Sequence, residues 1–583
     1  MKTYWISAFM VLMASYIDSY SQSQPCATDF KHMDLLKSSV SYRSSFELNE
    51  IQIDNFIQTQ KGVRVSSTPE VTYKIPLVVH VLEPDVSASI MTDKEIEGMI
   101  SRLNNQLRAG EGYGDSQNIN IEFDLVQRGP DCEATTGIVR VDMSTETSYV
   151  EHGVASATAN GIPELVAKSK SNWGNVNYYN LWIVNEIDSQ KGNGVIGFAY
   201  FPGAGAELDG ALMIADRLKS ENSTLLAHEI GHALGVYHTF NGSGGSEEEG
   251  FSCTSNASPT IQGDRCADTE PMHYGGTYIS NGLFDCTKGS DEINPCTGNP
   301  YGDLFRNIMN YVPDECAVLF TADQKDRMRG TLIKARSSLL RSNALKEAPV
   351  VAMAKACYPT VGNKADRYFG ITSFDFDEQI VSESGSVSQD GYFSIDNSCY
   401  KQAEVSPDIT YPVVIKTKNS NYVKVYIDYN NDGDFEDVGE EIGSGYSYPN
   451  KTFAFDYTVP VTGVLTNQEL RMRVVCDPSS QLSACNLPGN SHNGSGQSED
   501  YGIKINYSAA RTEPCPANIS LNGPVDNLNS GTKLFQSSVS ITAVNRITGG
   551  RTILDGGAMV VLKPGFEVSG GAVFTAQIEG CVN

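Results

Sequence analysis

The chain has 583 residues, a formal net charge of −27 at pH 7 and 13 cysteines. This length exceeds what one hydrophobic core organises, so several domains are expected. The excess of acidic residues disfavours nucleic acid and anionic membrane surfaces as partners, because both would repel the protein.

The first 22 residues are predicted to be a secretory signal peptide. Lys2 gives a positive start, the stretch from Trp5 to Tyr16 is mostly apolar, and small polar residues follow at 21–23. A buried first helix is the alternative. No other stretch is long and apolar enough to span a bilayer, so we expect a secreted, extracellular protein without a membrane span.

Residues 23–70 are predicted to be a pro-segment, because they are polar, end in a linker-like stretch and are too few to form a core. Strand and helix patterns then alternate, which predicts a mixed α/β domain over 71–345. Within it, strands are predicted at 75–82, 119–126 and 179–184, and helices at 93–107 and 321–340.

The strongest motif of the chain is H-E-x-x-H-x-x-G-x-x-H, which runs from His228 to His238. His228 and His232 are four residues apart, so on a helix they share one face and can bind one zinc ion. Gly235 permits a bend after the helix, which lets His238 become the third ligand. Three protein ligands leave a fourth position for water, as in catalytic zinc sites. Glu229 is then the predicted general base.

The cysteines fall into groups along the chain. Six surround the zinc motif, four lie in the next segment and two bracket the C-terminal stretch: Cys132, Cys253, Cys266, Cys286, Cys296 and Cys316; Cys357, Cys399, Cys476 and Cys485; Cys515 and Cys581. Each group is even, so disulfides within each domain are predicted and Cys26 is left over.

All-β structure is predicted for the second half of the chain. After a linker at 346–354, residues 355–510 are rich in β-branched residues, Tyr and Gly, with frequent turn signals. Residues 511–583 carry short apolar patches separated by glycine, which suit the short stacked strands of a small β-solenoid or a β-sandwich.

A D-x-N-x-D-G sequence lies within this β region. Asp428, Asn430, Asp432 and Asp434 are candidate calcium ligands, because their oxygens are closely spaced around a tight turn. An EF-hand is excluded, since Gly439 stands where that loop needs its last acidic ligand. A calcium loop on a β-hairpin and an acidic turn without an ion are the two alternatives.

The zinc motif, together with the N-I-M-N-Y segment at 307–311, resembles the pappalysin family of metzincin metallopeptidases, in particular its bacterial, cytophagalysin-like members. The resemblance covers most of 71–345. It implies a metzincin catalytic domain with a mixed sheet, an active-site helix and a Met-turn, and it implies hydrolysis of peptide bonds in protein or peptide substrates.

The same resemblance assigns further residues. Met309 is expected beneath the zinc ion, where it shapes the surroundings of the ligands. Tyr311 is expected to donate a hydrogen bond to the oxyanion. Because catalytic domains of this family also bind calcium, Asp264 and Asp268 are candidate calcium ligands.

Residues 24–29 resemble the cysteine-containing pro-segments of this family. A Cys26 thiolate at the fourth zinc position would displace the water and keep the enzyme latent. A free or intermolecular thiol is the alternative.

The β region resembles GEVED domains, with Gly496-Gln497-Ser498-Glu499-Asp500-Tyr501 in the place of the Gly-Glu-Val-Glu-Asp-Tyr signature. Residues 511–583 look like a stacked-strand repeat found at the ends of such proteins.

These features predict a secreted zinc endopeptidase with Glu229 as general base and calcium as an expected second cation. The alternative is a surface adhesion or binding protein whose β modules carry the main function. Those modules are candidates for contact with a cell surface or matrix. A zinc enzyme acting on a non-peptide amide is disfavoured, because the long motif with its Met-turn is specific to peptidases.

Overall fold

The structure is a computed structural model that describes residues 26–61, 70–156, 160–189, 194–243, 252–255, 258, 262–273, 286–362, 369–384, 387, 392–449, 452–490, 494–506, 516–529, 532–549, 551–570 and 572–578. The predicted signal peptide, the linker-like end of the pro-segment, Cys515 and Cys581 lie outside the described residues. The chain divides into a first unit, Met1–Pro130 with Ala134–Glu347, and a second unit, Asp131–Glu133 with Ala348–Asn583.

A six-stranded mixed sheet is the framework of the first unit, with strand order β2-β1-β6-β8-β7 and β3 also paired with β1. Its strands, and the separate pair β4 and β5, are β1 (Tyr73–Glu83), β2 (Ile121–Leu125), β3 (Ile138–Asp142), β4 (Val154–Ala155), β5 (Ile162–Pro163), β6 (Tyr179–Val184), β7 (Gly197–Ala199) and β8 (Ala211–Ile214). Every pair in the six-stranded sheet is parallel except β7 with β8, so β7 is an antiparallel edge strand. β6 is buried along its whole length, as its continuous apolar sequence predicts.

Nine α-helices are described in the first unit: α1 (Thr28–Ser38), α2 (Val40–Lys61), α3 (Asp93–Leu107), α4 (Thr147–His152), α5 (Glu164–Ser169), α6 (Ala215–Leu218), α7 (Leu225–Ala233), α8 (Cys286–Asp291) and α9 (Ala322–Ala335). Single 3-10 turns lie at Gly302–Leu304 and Leu339–Arg341. α3 begins at a capping box of Thr92 with Glu95, and α9 at one of Thr321 with Gln324. The predicted strands and helices are confirmed, although α9 ends at Ala335, before the predicted end. None of the helices in the described ranges combines the length and hydropathy that crossing a membrane requires.

The two helices of the predicted pro-segment, α1 and α2, share the core of the first unit. Phe46 of α2 packs in the same buried cluster as Phe201. α2 also lies along α9, where the buried Glu50 carboxylate accepts hydrogen bonds from Arg327, at 3.0 Å, and from Arg265. These contacts agree with the expectation that the segment has no core of its own.

Four disulfides are described: Cys132–Cys399, Cys253–Cys296, Cys286–Cys316 and Cys357–Cys485. The prediction that each disulfide stays within its own cysteine group is wrong for Cys132, because Asp131–Glu133 belong to the second unit and Cys132 pairs with Cys399. Cys266 and Cys476 are consequently free and buried, so Cys26 is not the single unpaired cysteine among those described.

The second unit begins with two sheets that share a core containing Phe374, Val413, Val425 and Ile503. One has strand order β11-β10-β14-β17, and the other β12-β20-β18-β15-β16 with β13 beside β20, while β9 and β19 form a separate pair. The strands are β9 (Thr360–Val361), β10 (Gly370–Phe376), β11 (Ile380–Glu383), β12 (Ser394–Asp396), β13 (Gln402–Val405), β14 (Thr410–Lys418), β15 (Asn421–Ile427), β16 (Glu441–Ser447), β17 (Thr452–Thr458), β18 (Glu469–Asp477), β19 (Asn486–Leu487) and β20 (Gln497–Ile505). This part is a β-sandwich, as the alternating burial along β14 requires.

The GEVED-like signature lies on β20, where its acidic residues are buried. Asp500 accepts two hydrogen bonds from Arg473, at 2.7 and 2.8 Å, and one from Arg471 at 2.9 Å. Glu499 accepts from Ser384 at 2.6 Å. The buried Asp500 carboxylate is therefore compensated by two guanidinium groups.

Parallel strands follow in the tail: β21 (Asn518–Leu521), β22 (Thr532–Ser537), β23 (Ser540–Ala543), β24 (Arg546–Ile547), β25 (Arg551–Gly556), β26 (Met559–Leu562), β27 (Glu567–Val568) and β28 (Val573–Gln577). Ile519, Ile541 and Val560 align in three successive parallel strands. Of the two predicted alternatives, this pairing is that of a β-solenoid.

A buried ion-pair cluster surrounds Glu164 at the start of α5. Lys168, which is fully buried, and Lys31 of α1 each place Nζ 2.8 Å from a Glu164 oxygen, and the Tyr200 hydroxyl donates to it at 2.9 Å. Burial raises the pKa of Glu164, but the two ammonium groups more than offset this effect and hold the pKa at about 2. Burial lowers the pKa of Lys168, so the pair stabilises the fold by less than the shift of Glu164 alone indicates.

We expect the free energy of unfolding to fall as the pH drops from the unfolded-state pKa of Glu, about 4.3, towards about 2. The direction follows because the folded-state pKa is depressed, so the contribution of Glu164 is present above 4.3 and is lost as the carboxylate is protonated in the fold. Glu164→Gln should lower stability at neutral pH and flatten this part of the profile, measured by denaturant unfolding at several pH values. Glu97→Gln, at an exposed position of α3, is the control. An unaltered profile in Glu164→Gln would contradict the assignment.

Candidate active site

The zinc-motif histidines converge because the chain turns sharply after α7. Gly235 has a φ of +83°, and a Cβ there would lie 2.3 Å from Thr331 Oγ1, so glycine is required. The turn brings His238 back towards the helix. Its Nε2 atom lies 3.1 Å from the Nε2 atoms of both His228 and His232.

Each of these imidazoles is oriented by a hydrogen bond from its other nitrogen. At 2.8 Å in every case, the Nδ1 atoms of His228, His232 and His238 contact Ile308 O, Val236 O and Asp29 Oδ2. An Nδ1 proton engaged in this way leaves the Nε2 lone pair free for a metal. Burial, together with neighbouring His238, lowers the pKa of His228 to about 3, so this ring is a neutral ligand.

The Cys26 thiol joins the three imidazoles. The four ligand atoms lie within 4.8 Å of one another and all four residues are buried. Tetrahedral ligands about 2.0–2.1 Å from an ion stand about 3.3 Å apart, close to the 3.1 Å between the imidazole nitrogens. Three nitrogens and a sulfur suit zinc, so the residues fit the ion. Within the described ranges, no other group of three or more His, Cys, Asp or Glu residues is gathered so closely.

Glu229 is fully buried beside this cluster. Its Oε2 atom lies 3.2 Å from Thr28 Oγ1 and 3.6 Å from Cys26 Sγ, whereas Oε1 has no hydrogen-bond partner in the described part of the chain. Burial raises the pKa of Glu229 to about 8, against the hydrogen bonds from Cys26 and Thr28. A cation bound alongside would oppose that rise.

The Met309 side chain packs against the backbone of α7. A Cβ on Gly231 would lie 2.3 Å from Met309 Sδ, so the thioether lies directly against the backbone of α7. The amides of Asn307 and Gln324 hold the Met-turn by a reciprocal pair of hydrogen bonds, at 2.9 and 3.0 Å. This fixes the Ile308 carbonyl that orients the first imidazole.

Tyr311 lies at the rim of the cluster. Its ring centroid is 4.9 Å from that of His238 and 4.8 Å from that of Phe240. Its hydroxyl donates to the Cys26 carbonyl oxygen at 3.3 Å. The phenol therefore already contacts a peptide carbonyl next to the candidate zinc position.

Residues 26–28 pair with the free edge of β7. Cys26 forms a parallel bridge with Gly197, and the Ala27 amide donates to the Gly197 carbonyl at 3.1 Å. Thr28 Oγ1 accepts from the Ala199 amide at 3.0 Å. This strand addition fixes the position of Cys26 opposite the histidines.

The candidate calcium residues of the first unit are bound to protein donors. Asp264 is buried and both of its oxygens accept from Thr269, at 2.8 and 2.9 Å. Asp268 accepts from the Thr321 hydroxyl and the Asp323 amide at the start of α9. The two carboxylates thus organise the loop before this helix.

The candidate calcium loop of the second unit joins β15 to β16, on a hairpin as one alternative predicted. Asp428 accepts from the Asp432 and Gly433 amides at 3.1 and 2.9 Å. Glu440, which the sequence interpretation did not include, is 1% exposed; its Oε1 accepts from the Tyr429 amide, and its Oε2 has no hydrogen-bond partner in the described part of the chain.

Two contacts of the site are not predictable from the sequence. Thr28 is hydrogen-bonded to Glu229 and Asp29 to His238, across sequence separations of 201 and 209 residues. Their adjacency to Cys26 was the only available signal.

The mixed sheet with its antiparallel edge strand, the helix with converging histidines, the adjacent glutamate and the methionine floor define a metallopeptidase domain of the metzincin class. Residues 165–333 match the family model Peptidase_M43, described as pregnancy-associated plasma protein-A, and residues 422–504 match the GEVED domain model. Residues 165–333 and 422–504 are thus similar to a pappalysin-family peptidase domain and to a GEVED domain, which confirms both resemblances.

Relatives with curated names agree. An extracellular metalloprotease of Colletotrichum graminicola is 29% identical over 177 residues, covering 28% of this chain and 52% of the relative. One of Sordaria macrospora is 27% identical over 238 residues, covering 36% and 73%. Human pappalysin-1 is 32% identical over 103 residues, covering 18% and 6%. The chain spans about half the length of the first fungal relatives it matches.

Among solved structures, mirolysin in complex with a compound is 24% identical, with a TM-score of 0.36 and coverage of 47% of this chain and 97% of that one. A promirolysin mutant of Tannerella forsythia is 22% identical, with a TM-score of 0.37 and coverage of 54% and 97%.

Proposed function

We propose that the chain is a secreted zinc-dependent endopeptidase. The observation that carries the proposal is the convergence of three oriented histidines beside the buried Glu229 carboxylate. Zinc bound there would supply Lewis-acid polarisation of the substrate carbonyl and activation of a water molecule. The named activity of the fungal relatives supports peptidase chemistry over an adhesion protein.

Three side chains of the protein have separate roles in the proposed peptide hydrolysis. Glu229 Oε1, which lacks a partner among the described residues, is placed to take a proton and to pass it to the leaving amine. The Tyr311 hydroxyl donates to a peptide carbonyl in this structure, and in a substrate complex it would donate to the oxyanion. Met309 keeps the floor apolar and the ligands in place.

The wider assignments are part of the same proposal. Residues 1–22 would direct export, 23–70 form the pro-segment, 71–345 the catalytic domain, 346–354 a linker, 355–510 the GEVED-like domain and 511–583 the solenoid module. The β modules would contact a cell surface or matrix, while proteins or peptides are the substrates.

Glu229→Ala should lower cleavage of casein or gelatin by about 10²- to 10⁴-fold, because it removes the general base. Bound zinc, measured by mass spectrometry of the metal, should stay at the level of the parent. Glu221→Ala, at an exposed position before α7, is the matched control and should keep its activity. If pure Glu229→Ala kept full activity that a chelator did not remove, the assignment of Glu229 as general base at a zinc site would be wrong.

We propose further that Cys26 keeps the chain latent. Its Sγ occupies the fourth position of the cluster, and the pairing of residues 26–28 with β7 covers the cleft. A substrate would need the same edge and the same fourth position, so both cannot bind together.

Cys26→Ala should therefore mature faster, with self-cleavage within 61–69 followed by gel electrophoresis and mass spectrometry. Cys476→Ala, which alters a free buried cysteine of the second unit, should mature like the wild type. Identical time courses for Cys26→Ala and wild type would contradict the switch.

Calcium is proposed at the loop between β15 and β16. Asp428, Asp432 and Glu440 bring carboxylates into one turn, and burial with neighbouring carboxylates raises the pKa of Glu440 to about 7. Their oxygens are not as tightly gathered as the zinc ligands, so the ion would draw them together.

Millimolar calcium should raise the thermal midpoint of the wild type in metal-depleted buffer, because ligand binding to the folded state stabilises it. Asp432→Asn should weaken this response, whereas Asp408→Asn, at an exposed turn position of the same unit, should keep it. Absence of a calcium response in the wild type would favour an acidic turn without an ion.

A further inference from the structure

The three candidate zinc histidines differ in where their orienting partners come from. His228 and His232 contact main-chain carbonyls of the first unit, one from the Met-turn and one from the turn after α7. Of the three Nδ1 atoms, only that of His238 contacts a side chain, Asp29 Oδ2, and Asp29 lies on the first turn of α1. The pro-segment thus supplies the partner of one ligand.

The same short stretch supplies a ligand as well. Cys26 Sγ joins the cluster, and three residues later Asp29 holds the fully buried ring of His238. Between them, the Thr28 hydroxyl accepts from the Ala199 amide of β7 and lies 3.2 Å from Glu229 Oε2. Together with the backbone pairing of Cys26 and Ala27 with Gly197, this contact fixes the short stretch that carries both Cys26 and Asp29. Loss of the segment would remove one ligand and the orienting partner of another in a single event.

We infer that Asp29 is a positioning residue for His238 that is present only while the pro-segment is in place, so that the latent chain retains zinc more firmly than the matured chain. This inference rests on the proposed function, since it takes the cluster as a zinc site. A carboxylate that accepts from Nδ1 fixes the ring and raises the basicity of Nε2, and loss of such a partner typically weakens metal binding about 10- to 100-fold.

The charge of Asp29 and its place on the helix suggest two other roles. An acidic residue in the first turn stabilises a helix through the macrodipole, and this would affect α1 without any effect on the metal. Alternatively, Asp29 could serve only to seat the segment, in which case its loss would release Cys26. Zinc retention and thiolate ligation must therefore be measured separately.

The test uses the full chain with Glu229→Gln, an isosteric change that prevents self-cleavage and keeps the pro-segment in place. Asp29→Asn and Asp29→Ala are compared with Asp34→Asn, an exposed acidic position of the same helix. Each protein is loaded with one equivalent of zinc, and the transfer of zinc to an excess of chromogenic chelator is followed. The same proteins loaded with cobalt report Cys26 ligation through the thiolate-to-cobalt charge-transfer band.

We expect zinc release from Asp29→Ala to be about 10- to 100-fold faster than from the parent. Asp29→Asn should lie between them, and Asp34→Asn should equal the parent. The charge-transfer band should remain in both Asp29 variants, because Cys26 is held by β7.

Equal release rates in all four proteins would overturn the inference while leaving the proposed function intact. Loss of the charge-transfer band in Asp29→Asn would also overturn it, because Asp29 would then seat the segment rather than orient His238. A parent protein that binds no zinc would overturn the proposed function itself, and the inference with it.

Discussion

Three imidazole rings whose Nδ1 atoms are hydrogen-bonded outward, and whose Nε2 atoms therefore face one point, are the constraint around which the first unit is organised. The short approach of Met309 to Gly231 lets the Met-turn come close enough for its carbonyl to reach the first ring. The positive φ of Gly235 turns the chain so that the third ring returns. The capping amide pair of Asn307 and Gln324 then ties the Met-turn to α9. The helix α7, the turn after it and the Met-turn therefore position the three rings jointly.

The edge strand β7 links this centre to the predicted pro-segment. An exposed strand edge presents unpaired amides and carbonyls, which invite pairing by other chains. Residues 26–28 satisfy the edge, and the same contacts place a thiol opposite the histidines. The contacts that protect the edge are therefore the contacts that position the Cys26 thiol. A second anchor of this segment is the buried Glu50 carboxylate of α2, which is bound to Arg327 and Arg265.

Local spacing explains what the sequence could predict. His228, Glu229 and His232 are set by helical periodicity, and the zinc motif carries the glycine that returns His238. Strands such as β6 are recognisable because burial on both faces leaves a continuous apolar run. The disulfide pattern was only partly predictable, because even counts within groups do not reveal that Cys132 packs with Cys399. No local pattern predicts the contact between Asp29 and His238 either, because the two residues are 209 positions apart and meet only through tertiary packing.

The Cys132–Cys399 disulfide also changes what a cut in the chain would do. The two cysteines are 267 residues apart in sequence and lie on either side of the stretch that contains the zinc motif and the linker-like residues 346–354. A break anywhere in that interval would leave the two pieces covalently joined until the bond is reduced. Processing between the peptidase domain and the β modules would thus leave a single band on a non-reducing gel and two fragments on a reducing gel. Release of the modules would depend on reduction of this disulfide.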